Sequence, residues 1–285
     1  MTGFTVPPMW SWQEFLDTVR RPEAIPAGGG RHGRTEFAGA TWDEALRLAV
    51  DGWQLPLQQA DVSVGALRER AGIGVSVTTL EPTWDVTGSE VDIAAYLAGV
   101  PECMIDAVPQ RTSRRGRVVT FLIPATYSHK TRHESIINRG LALAALCAAI
   151  IDAGHGVEIW SDYACMMGEN KDERYHAVAR VISAGEPLDV GRLIFAVAHP
   201  AMLRRLWFAV WDGVSVEVAT LMDKANYGNP PYDCRPADLP DEVTDPYVFP
   251  YLKADDTQWD SLDSAMDWCH RMFADLGLIH ESSLA

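Results

Sequence analysis

Histidines 129 and 133 stand four apart in the run Ser128-His129-Lys130-Thr131-Arg132-His133. That spacing puts both imidazoles on one helical face if a helix begins early, and it would suit a metal pair. No HExxH motif accompanies them, so the general base that such motifs supply is missing. Ser128 beside His129 invites a nucleophile reading, but the chain has no GxSxG elbow to present the hydroxyl. Cys103 in PECM and Cys165 in YACMM have no basic neighbour in sequence and read as buried thiols. The segment GGGRHG, residues 28–33, has the glycine content of a phosphate loop without the preceding strand or the Lys-Ser/Thr pair, and reads as a flexible connection. Asp152 and His155, near a helix end, suit a turn and the helix dipole. Arg111, Arg114, Arg115 and Arg117 in RTSRRGR form the densest basic cluster, either an anion patch or a solvated loop.

The whole-chain balance opposes generic polyanion binding. Lys plus Arg number 24 against 39 Asp plus Glu in 285 residues, a net charge of −15. Such a surface disfavours nucleic acid and anionic membrane as partners. Five cysteines, at 103, 147, 165, 234 and 269, include no CxxC pair. Reduced thiols and a cytoplasmic setting follow as expectations, in keeping with a start, MTGFTVPPMWSW, that lacks the basic and apolar regions of a secretory signal. The most apolar run, residues 140–151, is shorter than the roughly 20 residues a bilayer span needs, and is expected to be a core helix.

The elements that would position these residues follow from patterning. Ser11-Trp-Gln-Glu14 and Thr41-Trp-Asp-Glu44 have capping-box form and predict helices over 12–20 and 42–51. A third helix is expected over 55–71 and a strand over 75–80; 81–90 is turn-rich, 91–97 a short helix, and 103–105 extended. Residues 1–110 read as a mainly helical N-terminal extension, and 111–285 as an α/β domain. From residue 117 strands and helices alternate: strands over 117–123, 157–161, 174–182 and 206–211, helices over 134–153 and 188–203. That alternation predicts a doubly wound, mostly parallel sheet with the 118–123 strand central and a ligand site at the carboxyl strand ends. Arg204-Arg205 would then lie at a strand's amino end as a salt-bridged surface. A strand over 247–252, holding Pro250, belongs near an edge, and an amphipathic helix over 258–276 presents Trp259, Leu262, Met266, Cys269 and Phe273 to the core. Ten tryptophans, among them Trp10, Trp12, Trp42, Trp53 and Trp84, suggest either a helical layer on the sheet or an interface.

In order and spacing, residues 117–252 resemble a von Willebrand factor A domain. The strand FLI runs into Pro124-Ala-Thr126-Tyr-Ser128 where that family has Asp-x-Ser-x-Ser; Gly185-Glu186 stands where it has Gly-Thr; LWFAV followed by Trp211-Asp212-Gly213 matches its third loop. The resemblance implies that Thr126, Ser128, Glu186 and Asp212 converge at the carboxyl edge of the sheet. Thr126, Ser128 and Asp212 retain oxygens for Mg²⁺, with Glu186 or Asp189 as possible replacements, but Pro124 supplies none where the family has its leading carboxylate. A degenerate metal site is therefore expected, with Thr126 and Ser128 equally able to cap the next helix. Composition and the segments TWDEALRLAVDGW and VDIAAYLAGVPECM are similar to proteins of actinobacterial phages and mobile elements. The implied function is a non-enzymatic protein-binding or assembly module, its partner another protein or a second copy, found in host cytoplasm or virion. A Mg/Mn-dependent enzyme using the strand-end cluster and a nucleic-acid-associated phage protein using Arg111–Arg117 are the alternatives.

Overall fold

The computed structural model describes residues 3–59, 78–111, 117–127, 130–168, 172–227 and 234–277. The chain forms two compact units, Met1–Ile73 with Arg117–Ala285, and Gly74–Gly116. Where the sequence suggests one boundary near residue 110, the smaller unit is an insertion into the larger.

The larger unit opens with β1 (Phe4–Thr5), α1 (Trp12–Val19), the one-turn α2 (Gly29–His32) and α3 (Thr35–Ala38), α4 (Trp42–Asp51) and α5 (Leu55–Gln59). The insertion holds β2 (Thr78–Asp85), β3 (Glu90–Val91), α6 (Ile93–Leu97) and β4 (Met104–Arg111). The larger unit resumes with β5 (Val118–Pro124), α7 (His133–Asp152), β6 (Gly156–Met167), β7 (Glu173–Ile182) and α8 (Val190–Ala198). A π-helix, Met202–Trp207, runs into α9 (Phe208–Asp212), and α10 (Val216–Lys224), β8 (Tyr247–Val248) and α11 (Leu262–Asp275) follow.

Both expected caps form. Ser11 Oγ accepts the Glu14 N–H at 3.1 Å and Thr41 Oγ1 accepts the Glu44 N–H at 3.2 Å, each satisfying an amide that a helix start leaves open. Of the helix expected over 55–71, α5 is its first turn; residues 60–71 lie outside the described residues.

The main sheet is mixed and mostly parallel, in the order β1-β7-β6-β5-β8. β5 pairs in parallel with β6 and β8, and β1 with β7, while β6 and β7 are antiparallel. Two expectations fail here. The centre of the sheet is β6, not β5, because β6 runs on to Met167 and turns back as a hairpin into β7. Residues 206–211 are helical rather than a strand. A continuous apolar run fits a buried strand or a buried helix alike, and here Leu206, Trp207, Trp211 and Arg205 are all buried in one helical layer.

Alternation along the strands sorts side chains onto two faces. Val119, Phe121, Ile123, Tyr163, Ala177 and Ala179 enter the main core with residues from α1, α4, α7, α8, α9 and α11. Leu122, Trp160 and Val178 form a smaller cluster with Cys234 and Leu239. The α-helices contribute only to the first, so the helical layer covers one face instead of winding over both. α7 is long and apolar enough to cross a membrane by composition, but 78% of that stretch is buried in this unit. β8 lies at the sheet edge. Trp259, Met266 and Cys269 are buried as the amphipathic pattern requires.

The insertion is a three-stranded antiparallel sheet, ordered β2-β4-β3. The sequence reads 81–90 as a turn, yet β2 continues through Pro82 to Asp85. β2 is an edge strand, where a proline's missing N–H leaves no ladder bond unmade.

Candidate functional site

The four residues expected to converge do not form a common oxygen set. Thr126 follows β5 at its carboxyl end, is buried, and its Oγ1 has no hydrogen-bond partner. Ser128 lies outside the described residues, as does His129. Glu186 follows β7, whose direction opposes β6: Pro124 pairs with Asp162 of β6, whereas Ile182 at the end of β7 pairs with Ile159. Thr126 and Glu186 thus occupy opposite ends of the sheet, at least about 15 Å apart at roughly 3.3 Å per strand residue. Glu186 is committed to its own loop, accepting the Ser183 N–H at 3.0 Å and pairing with Arg192. Asp189 caps α8 by accepting the Arg192 N–H at 2.9 Å. Among the described residues no group of three or more His, Cys, Asp or Glu side chains is arranged to hold a metal ion, and the donors the resemblance nominated do not fit one octahedral site.

Asp212 has a different role. It ends α9 in the helical layer, fully buried, and accepts hydrogen bonds from the Tyr227 hydroxyl at 2.8 Å and the Gly30 N–H at 3.0 Å. A Cβ at Gly28 would stand 2.5 Å from this carboxyl group, and one at Gly29 2.6 Å from the Tyr227 ring. Three consecutive glycines therefore let the start of α2 close over a carboxylate. The anion in this phosphate-like loop is the chain's own Asp212. Two turns earlier, Arg205 donates to the carbonyls of Ala40 at 3.0 Å, Gly30 at 3.2 Å and Arg31 at 3.1 Å. One helical segment thus presents an anion to the amides of α2 and a cation to its carbonyls. Arg205 is a buried clamp, not the surface cation expected of it, while Arg204, half-buried, donates to the Phe37 carbonyl at 2.6 Å. Burial raises the Asp212 carboxyl to about 6, against the hydrogen bonds from Tyr227 and Gly30 that favour its charge.

The second face of the sheet carries a polar group invisible to sequence spacing. Asp162 on β6 is fully buried with neither carboxyl oxygen hydrogen-bonded. Burial, then the neighbouring Asp238 charge, hold it well above the usual carboxylate range. Asp238 pairs with Arg174 at 2.5 Å, stands 3.7 Å from His176 Nε2, and accepts the Arg235 N–H at 2.7 Å. The adjacent Cys234 thiol is pushed far up by burial, the opposite of nucleophile activation. None of the five cysteines is paired, and Cys147, Cys165, Cys234 and Cys269 are buried.

In the helical layer, where α7 begins after β5, lies a cavity of about 410 Å³ lined by Gly39, Glu44, Leu48, Trp53, Leu55, His133, His199 and Pro200. His133 opens α7; His199 closes α8 and has no motif to announce it. Of the basic run, Arg114 and Arg115 lie outside the described residues and Arg111 ends β4. Arg117 donates its N–H to His155 Nδ1 at 3.2 Å and its guanidinium to the Leu276 carbonyl.

The insertion presents the most distinctive surface. Trp84, Val86, Val91, Ile93, Tyr96, Leu97 and Val100 are all exposed, and none of the described side chains between 84 and 105 is buried. Ile93, Tyr96 and Leu97, 69%, 65% and 78% exposed, stand at i, i+3 and i+4 on α6 and share one helical face. Asp92 caps α6 by accepting the Ala94 and Ala95 N–H groups and also receives the Trp84 indole N–H at 3.1 Å. The sequence predicts this helix but not the exposure of its i, i+3, i+4 apolar stripe.

No curated protein and no solved structure matches the chain. A family model described as a domain of unknown function, DUF7192, matches residues 3–280. The match takes in both the α/β unit and its insertion, and the chain belongs to the DUF7192 family.

Proposed function

We propose that the chain is a non-enzymatic protein-binding or assembly module of a phage or mobile element, and that the insertion, residues 74–116, makes the contact. The observation that carries this reading is the apolar stripe of Ile93, Tyr96 and Leu97 on one face of α6, all exposed, on a unit that also exposes Trp84, Val86, Val91 and Val100. So many exposed apolar side chains on so small a unit favour a macromolecular partner. Asp85, Glu90 and Glu102 are exposed on the same unit, and no Lys or Arg occurs between 78 and 110. That charge selects a partner whose apolar groove is rimmed by Lys and Arg, and a second copy, itself carrying −15, is disfavoured by like-charge repulsion. The mode is an amphipathic helix laid into a groove.

The larger unit is read, within the same proposal, as a distant von Willebrand A relative with a degenerate metal site. Its support is the succession β5, α7, β6 with parallel pairing; the antiparallel β7 and the helix at 206–211 depart from that family. Five unpaired thiols favour a reducing compartment, the host cytoplasm, or a virion assembled there.

A two-hybrid screen of the chain against proteins encoded beside its gene tests the reading. The expected result is one interacting neighbour, lost in the Ile93→Asp/Leu97→Asp double variant while thermal melting of the main unit is unchanged. An interaction that survives the double variant, or none with any neighbour, would overturn it.

A further inference from the structure

None of the residues lining the cavity near the end of β5 belongs to the insertion. Its polar end is built around His199, which is 8% exposed. His199 Nδ1 accepts the Ala201 N–H at 3.0 Å, so the proton of the neutral ring is on Nε2. One face of the ring stacks on Phe195 with centroids 5.4 Å apart, and Trp53 packs against it in a T-shaped arrangement at 4.5 Å. With Nδ1 engaged by the Ala201 N–H, the Nε2–H of this cavity-lining ring is a donor with no hydrogen-bond partner among the described residues. Leu48, Trp53, Leu55 and Pro200 supply an apolar wall.

The charges around this donor favour an anion. His133 on the cavity wall is the first residue of the 20-residue α7, whose N-cap position, Arg132, supplies no side-chain cap, so first-turn amides stay available. Arg204 lies close enough to lower the proton affinity of His133, after burial, and His133 in turn depresses His199, whose burial brings it to about 4. Burial first, and the neighbouring Arg204 and His133 second, lower the proton affinity of the two rings. The acids present are Glu134, beside His133, and Glu44 on the wall, which has Arg47 4.0 Å away on its own helix. Just before the loop into α7, Thr126 is buried with an unused Oγ1.

We propose that this cavity binds a small organic carboxylate, its apolar body against Trp53, Leu48, Leu55 and Pro200 and its carboxylate on His199 Nε2–H and His133. The volume lies within the roughly 300–1,000 Å³ of small-molecule sites.

Saturation-transfer NMR on the full chain tests the site with three probes of one shape: benzoate, benzamide and benzylamine. A charge-assisted hydrogen bond predicts benzoate binding about tenfold tighter than benzamide, with benzylamine weakest and benzoate tightening as pH falls toward His133 protonation. His199→Gln weakens benzoate about tenfold or more on the same grounds. Leu55→Trp, at a half-exposed wall position that leaves the polar end intact, fills the cavity and abolishes transfer in a protein that melts like the wild type. Equal affinity for benzoate and benzamide, no transfer from benzoate at millimolar concentration, or undiminished transfer in folded Leu55→Trp would each overturn the proposal.

Discussion

Replacing Asp212 by Asn keeps the shape of the residue that closes the glycine cradle and removes its charge. Burial lifts the carboxyl from 3.8 to about 6. Each tenfold change in proton affinity is worth about 1.4 kcal/mol, so the difference from the unfolded chain amounts to about 3 kcal/mol. Because the folded state holds the proton more tightly, this contribution is fully present below about pH 4 and is lost as pH rises through about 6. Wild-type stability therefore contains a component that falls by about 3 kcal/mol across that window, and the Asn variant lacks it. The variant also carries a constant offset, because its NH2 group stands where one carboxyl oxygen accepts from Gly30 N–H or Tyr227 Oη. Urea unfolding of both proteins at about pH 4, 5, 6 and 7 isolates the pH-dependent part as a difference, free of the other titrating groups. The stability of the variant relative to wild type should rise by about 3 kcal/mol from the acid to the neutral end. A constant difference would refute the buried, proton-retaining carboxyl.

Two further outcomes follow from the same packing. Gly28→Ala, at φ −56°, meets no backbone strain, yet its Cβ would stand 2.5 Å from the Asp212 carboxyl; a loss of about 1–3 kcal/mol in urea unfolding is expected from overpacking, and a neutral result would contradict the cradle geometry. Thiol titration of native protein should label Cys103, the least buried of the five, well ahead of the rest, and denaturant without reductant should release all five; recovery of three or fewer would mean a disulfide.

Much of the larger unit was legible because local chemistry and tertiary structure agree. Ser11 and Thr41 cap where their spacing to Glu14 and Glu44 says they should, and VVTFLI, rich in β-branched residues and followed by a long apolar helix, forms the expected strand and crossover. The failures share a cause. Leu206–Trp211 is apolar on every side, so periodicity had nothing to distinguish, and assigning it as a strand carried Asp212 to a strand end it does not occupy. Glu186 was misplaced by the hairpin between β6 and β7, since one reversal of direction sends the following loop to the other end of the sheet. The Asp212 and Gly30 contact joins residues 182 apart; the run of glycines was the visible half of it, a sign of close approach with no sign of what approaches. Asp162, Cys234 and Asp238 meet only because a loop folds over the second sheet face. In the insertion the short helix was read correctly, but exposure of its Ile93–Tyr96–Leu97 stripe is a property of the fold around it.

That stripe carries the central claim, and a photo-crosslinking residue at Tyr96, expressed in the native host, tests it most directly. The account predicts adducts to one other protein, mapped by mass spectrometry to an apolar surface flanked by Lys and Arg, and lost when Ile93 and Leu97 are changed to Asp. Adducts confined to second copies of the chain, or unaffected by the Asp substitutions, would contradict it.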